Sequence, residues 1–168
     1  MSVLLETSLG DIIIDLYFDQ CPKTVFNFLR LCLLKKLNDR LISSVQKDYL
    51  CRVTGDDHSV FKDRYFDDEI TKRKFNRRGI VAMANEGQNL NAANFFITLT
   101  DQPLDHNLYK KHTIFGQVVE DDSFRVLDKI NQVFVNQNDN FRPFQNIRIK
   151  HTLVIEDPFE GKEALYDF

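Results

Sequence analysis

The chain has 168 residues, of which 43% are hydrophobic and 28% charged, and its net charge is −3. That length suits one domain with a single core, and the composition excludes a disordered chain. The charge argues neither for nor against a nucleic-acid partner. Phe is heavy at 15 residues and Trp is absent; Phe needs no hydrogen-bond partner when buried, so these residues are expected to fill a core. Cys21, Cys32 and Cys51 form no CxxC pair and no Cys/His cluster. They predict free, buried thiols of a reducing compartment, with neither a metal nor an organic cofactor. No apolar run approaches the ~20 residues that a membrane helix needs. The start, MSVLLETSLGDIII, lacks the basic stretch of a secretory signal.

Ser2–Thr7 and Asp11–Phe18 are aliphatic and β-branched runs joined by Ser-Leu-Gly-Asp, which predicts an opening hairpin. Pro22 stands at a helix-start position, and PKTVFNFLRLCLLKK follows with Val25, Phe28, Leu29 and Cys32 at helical spacing. Lys35 and Lys36 suit the negative end of that helix. Leu41–Val45 and Tyr49–Val53 are two further strands. A polar region runs from Thr54 to Arg78. Gly79–Ala84, Asn94–Thr98 and His112–Val119 read as short strands. Asp122–Gln132 has helical spacing, with Asp121 or Asp122 as N-cap. Ile147–Ile155 alternates and is the expected last strand, and Asp157–Phe168 reads as a polar tail. Many short strands with two helices predict a β-rich barrel or sandwich and disfavour a doubly wound sheet.

The stretch GIVAMANEGQNLNAANFFITLTDQPLDHNLYKKHTIFGQVV, with LGDIIIDLYFDQCPKTVFNFLRL before it and the closing helix and strand, resembles the cyclophilin-type peptidyl-prolyl cis-trans isomerases over nearly the whole chain. The ending KINQVFVNQNDNFRPFQNIRIKHTLVIEDPF is most similar to the peptidyl-prolyl isomerase-like 4 group of that family. The resemblance implies a mainly β fold, a closed eight-stranded antiparallel β-barrel capped by two α-helices. It would occupy residues 1–157, with residues 158–168 as tail. It also implies a monomer acting on X-Pro bonds, a nuclear location (otherwise cytoplasmic) and spliceosomal proteins among the partners. Members of that group carry an RNA-recognition motif downstream; these 168 residues contain none, so RNA binding by this domain is not expected.

Carried onto this chain, the family's proline pocket is Tyr49, Leu50, Phe96 and Leu104 with His112 at its edge. Ala84 and Asn85 would hold the peptide backbone, and Asn94 would support the site. From spacing alone, Phe95 and Phe96 must point to opposite faces of a strand, one into the barrel and one out of it. His112 alone reads as a satisfied structural or surface histidine, and His106 as exposed.

Four departures from the family pattern follow. Active members aim an arginine at the proline nitrogen, in a Phe-His-Arg run; here the run is Ile42-Ser43-Ser44, with Ser44 at the arginine position. A short neutral hydroxyl cannot replace a guanidinium fork, so weak turnover is expected. Arg52 is a possible substitute, because the family's pocket glutamine falls at Arg52 or Val53; on its own Arg52 reads as a solvated strand-edge residue. The Gly-rich loop expected after Thr54-Gly55-Asp56 is missing, and Glu86 replaces a small residue guarding the second pocket. Pro103 stands near the position of a tryptophan that contacts cyclosporin, which implies weak cyclosporin binding. The alternative to an isomerase is a non-catalytic module that binds proline-containing segments. The basic cluster Thr71–Arg78, TKRKFNRR, reads as a solvated loop partly neutralised by Asp67, Asp68 and Glu69, or else as an RNA-facing patch or nuclear-import signal.

Overall fold

The computed structural model describes residues 1–105 and 107–162; His106 and residues 163–168, the end of the expected tail, lie outside the described residues. Among the described residues ten strands and two α-helices appear in chain order: β1 (Ser2–Thr7), β2 (Gly10–Leu16), α1 (Pro22–Leu33), β3 (Ile42–Gln46), β4 (Leu50–Val53), β5 (Ile80–Met83), β6 (Phe95–Thr98), β7 (Ile114–Val118), α2 (Asp122–Asn131), β8 (Val135–Asn136), β9 (Arg142–Pro143) and β10 (Ile149–Val154). A single 3-10 turn at Leu108–Lys110 precedes β7.

Eight of the strands make one antiparallel sheet in the order β10-β1-β2-β7-β5-β6-β4-β3. The sheet curls until its two edge strands approach. They are tied there by a Leu41–Arg148 bridge and by Ile42 N–H donating to the Ile147 carbonyl at 2.9 Å. Ile147 and Arg148, read as the start of the last strand, serve this closure, and β10 begins at Ile149. β8 and β9, not expected from the sequence, form a separate small ladder.

Alternation along the strands divides the apolar residues into two sets. The inward set, including Val3, Ile14, Val53, Val81, Phe95 and Phe115, fills the barrel. α1 closes it with Phe28, whose ring meets Phe95 edge-on at 5.3 Å and Phe115 at 5.2 Å. α2 contributes Val126, Leu127 and Ile130 to the same core, and Asp121 is its N-cap, accepting from Ser123 N–H at 2.7 Å. The outward set is smaller and consists of Phe75, Ile80, Ala82, Phe96 and Ile114, with Leu50, Ala84, Leu104 and Leu108 against them.

α1 starts at Pro22 as expected, but Cys21 provides no side-chain cap. Glu69 reaches in from a distant loop instead, accepting from Thr24 N–H at 2.7 Å, Thr24 Oγ1 at 2.7 Å and Lys23 N–H at 3.3 Å. The helix ends at Leu33, three residues before the expected end at Lys36. Lys35 turns left-handed (φ 59°), Lys36 N–H donates to the Leu31 carbonyl and Lys35 N–H to that of Cys32. That pair of bonds is a Schellman stop, here with lysine where glycine is usual.

Asn27, almost fully buried on α1, donates to the Ala92 carbonyl at 2.8 Å and accepts from Val60 N–H at 2.9 Å, anchoring the irregular segment after β4. Phe159 departs from the polar tail read at residues 158–168. It is fully buried, with its ring edge-on to Phe18 and Phe26 at 5.0 Å each. The three cysteines are free and buried, and burial pushes each thiol up to about 12.

Candidate functional site

A groove of about 680 Å³ lies on the outer face of the barrel, over β3, β4 and the outward side of β6. Its floor follows from strand register. Arg52 pairs with Phe96 on β6 and with Ser44 on β3, so the three side chains share one face. Leu50, two residues from Arg52, points the same way, whereas Cys51 and Val53 are buried in the barrel core. Arg52 thus faces the groove and Val53 the interior.

Phe96 is the apolar centre of the floor. Phe75 stacks behind it at 5.5 Å and His112 meets it edge-on at 5.4 Å. Phe95 faces the opposite way, as alternation requires. His112 Nδ1 lies 3.0 Å from the Met83 carbonyl, which fixes the ring. Burial holds its pKa below the ordinary 6.5; the Met83 hydrogen bond opposes that shift, and the nearby Arg52 charge adds to it.

Arg52 is chemically the most unusual residue of the groove. Its Nε is buried and has no hydrogen-bond partner among the described residues. Asn38, Asn91 and Arg78 also hold such atoms, but of these four residues only Arg52 lines the groove. A buried unpaired donor costs about 1–3 kcal/mol, so its retention calls for an acceptor.

Ala84 and Asn85 stand on the rim. Ala84 N–H donates to the Asn94 carbonyl at 2.9 Å, and Asn85 Nδ2 donates to the Lys111 carbonyl at 2.6 Å. Asn94 itself sits beside the groove, not in it. Its Oδ1 accepts from Gly55 N–H at 2.7 Å, and a Cβ on Gly55 would lie 2.8 Å from the Ala93 carbonyl, so that loop requires glycine. Leu104 packs with the Phe96 cluster without lining the groove, and Pro103 is exposed. Glu86 is exposed on a turn closed by its own N–H donating to Leu90, apart from the groove. Tyr49 and Ser44 line it as expected.

Sequence reasoning missed the far wall. Asp139, Asn140 and Phe141 line it together with β9. Asn140 and Phe141 are both left-handed (φ 49° and 57°), and the Phe141 carbonyl accepts from Val45 N–H at 3.0 Å, which seats the loop on the β3 edge. The turn-rich string NDNFR marked a loop, but not its destination. Leu108, on the 3-10 turn, was also missed. Among the described residues no cluster of His, Cys, Asp and Glu could hold a metal ion, and no helix is long and apolar enough to cross a membrane.

The groove thus combines an apolar floor, a fixed histidine and an arginine whose Nε lacks a partner among the described residues. The family model for cyclophilin-type peptidyl-prolyl cis-trans isomerases matches residues 2–154. The chain is 46% identical to the peptidyl-prolyl cis-trans isomerase CYP59 of Arabidopsis thaliana, over 98% of this chain and 34% of that protein. It is 39% identical to human peptidyl-prolyl cis-trans isomerase-like 4, over 98% of this chain and 35% of that protein. The chain thus spans about a third of the length of these curated relatives. A solved Cryptosporidium parvum cyclophilin-type isomerase, crystallised in the presence of the dipeptide Ala-Pro, superposes with a TM-score of 0.81 at 28% identity, covering 94% of this chain and 100% of that one. The chain belongs to the cyclophilin-type peptidyl-prolyl cis-trans isomerase family.

Proposed function

We propose that this domain is a peptidyl-prolyl cis-trans isomerase of low turnover in which Arg52 takes over the electrophilic role that Ser44 cannot fill. The observation that carries this reading is the buried, unpartnered Nε of Arg52 beside Phe96. The proline ring leaves water against Phe96 and Leu50, and Ala84 and Asn85 hold the flanking backbone. Twisting the amide breaks its resonance against a barrier of about 18–20 kcal/mol. As it twists, the proline nitrogen becomes pyramidal and basic. A guanidinium aimed there is worth more in the twisted state than in the planar one, which is what lowers a barrier. Turnover stays low because Arg52 approaches from β4 and Ser44 on β3 adds only a neutral hydroxyl. No cofactor takes part, and with Pro103 exposed cyclosporin binds weakly. A nuclear setting, with spliceosomal proteins as partners, is part of the proposal and rests on the likeness to the isomerase-like 4 group alone.

A second reading is favoured by Ser44 itself: a groove that binds proline segments without turning them over. NMR exchange spectroscopy on a short Ala-Pro peptide separates the two. The isomerase reading expects cis–trans exchange well above the uncatalysed rate, which has time constants of ~10–100 s. It expects Arg52→Ala to cut the acceleration by about a hundredfold, the scale of one preorganised donor. Shift changes at Phe96 and His112 without acceleration leave a binding module.

A further inference from the structure

The basic cluster forms a second concave site. A pocket of about 430 Å³ opens between residues 72–77 and the outer face of β7, lined by Tyr17, Lys72, Arg73, Lys74, Arg77 and Gln117 among others, with no acidic residue in its wall. The acidic run expected to neutralise this loop is engaged elsewhere. Glu69 caps α1, and Asp68 accepts from Asn91 Nδ2 at 2.7 Å and Asn89 N–H at 3.0 Å. Asp67 is exposed. Two other carboxylates are near: Glu120, 3.4 Å from Arg77 in an exposed pair, and Asp15, whose charge reaches Tyr17.

The two arginines are held in place. Arg73 Cζ lies over the Tyr17 ring, 3.5 Å from its centroid, and its Nε donates to Gln20 Oε1 at 2.8 Å. Among the described residues its remaining guanidinium donors have no acceptor. Arg77 donates to Gln117 Oε1, which also accepts from Tyr17 Oη at 2.8 Å. Between them Phe75 points the other way, buried, stacked on Phe96 and pinned by Leu104 N–H donating to its carbonyl at 2.9 Å. The loop is thus fastened to the back of the groove's central ring, and its donors need little ordering to bind a ligand.

We infer that this pocket binds the phosphate of a phosphorylated serine or threonine in a peptide partner. A phosphoryl dianion offers three acceptor oxygens, and a preset arginine flanked by lysines satisfies them with charge-assisted bonds. Single-stranded RNA fits less well. Base stacking needs open aromatic faces, but Phe75 is buried and Arg73 covers Tyr17. The cations also gather at one cavity and do not follow a track.

The test uses a phosphoserine peptide without proline, its unphosphorylated form and a single-stranded RNA oligonucleotide, each titrated into the isotopically labelled domain. The phosphopeptide is expected to bind at least about tenfold more tightly than its unphosphorylated form, an effect of about 1.4 kcal/mol. Shifts should map to Arg73, Lys74, Arg77 and Gln117, inorganic phosphate should compete, and salt should weaken binding. Arg73→Ala and Lys74→Ala, at exposed side chains, should each abolish most of the preference while leaving the amide spectrum folded. Equal binding of the two peptides, shifts confined to the Phe96 groove, or tighter binding of the RNA to the same residues would each overturn the inference. Because the peptide lacks proline, failure here leaves the isomerase reading untouched, and the converse holds.

Discussion

His112 shows how one side chain joins structure to chemistry. Its ring is fixed by Met83 and set edge-on to Phe96, and burial lowers its pKa from 6.5. A base whose folded pKa is depressed binds fewer protons folded than unfolded. Its contribution to stability is therefore complete above pH 6.5 and is lost as pH falls through the folded value. The urea midpoint is expected to decline as pH drops below 6.5, and His112→Phe should remove that part of the decline. An unchanged slope in the variant would mean that His112 is not the group responsible. Phe96 and Leu50 were legible as groove residues through the family resemblance; a period of two sends alternate side chains to opposite faces but does not say which face is the groove. The choice between Arg52 and Val53 was not legible, since an offset of one residue reverses the faces; pairing with β6 decides it.

At the level of elements, the departures cluster where local pattern is overridden by distant groups. The end of α1 carries no glycine, so a left-handed lysine stops the helix without a sequence signal. Its start is satisfied by Glu69, more than forty residues away, in a segment that reads as an undifferentiated polar stretch. Glu69→Gln keeps the shape but gives up the charge and one acceptor. It is expected to cost about 1–3 kcal/mol by chemical denaturation, and amide exchange should quicken at Lys23 and Thr24. No change there would assign Glu69 a solvent role. The far wall of the groove was illegible for a related reason. Residues 139–146 have no periodicity, and their position depends on two consecutive left-handed residues, the short ladder of β8 with β9 and a hydrogen bond to β3.

For the molecule as a whole, the succession of most strands and of the two helices along the chain follows from apolar periodicity, and the family resemblance supplied the eight-stranded barrel. The seam is subtler: it joins the two edges through the Leu41–Arg148 bridge and flanking backbone hydrogen bonds such as Ile42 N–H to the Ile147 carbonyl. Phe159 extends the fold past the last strand. Phe159→Ala is expected to destabilise by about 3–5 kcal/mol, the range for emptying a buried aromatic site, with the loss seen as a lower denaturant midpoint at unchanged slope. A change below 1 kcal/mol would mean that the site collapses and the aromatic trio with Phe18 and Phe26 is dispensable.

The buried thiols have a consequence for handling as well as for folding. Burial raises each thiol to about 12, so little thiolate is expected at neutral pH and slow reaction of the folded chain with alkylating reagents is the expected outcome. Cys21 sits at the entry to α1, Cys32 at its end and Cys51 inside β4. Opening at the entry of α1, at its end or at β4 is expected to bare Cys21, Cys32 or Cys51 respectively, so the order in which the three sulfurs become reactive reports which of these parts lets go first.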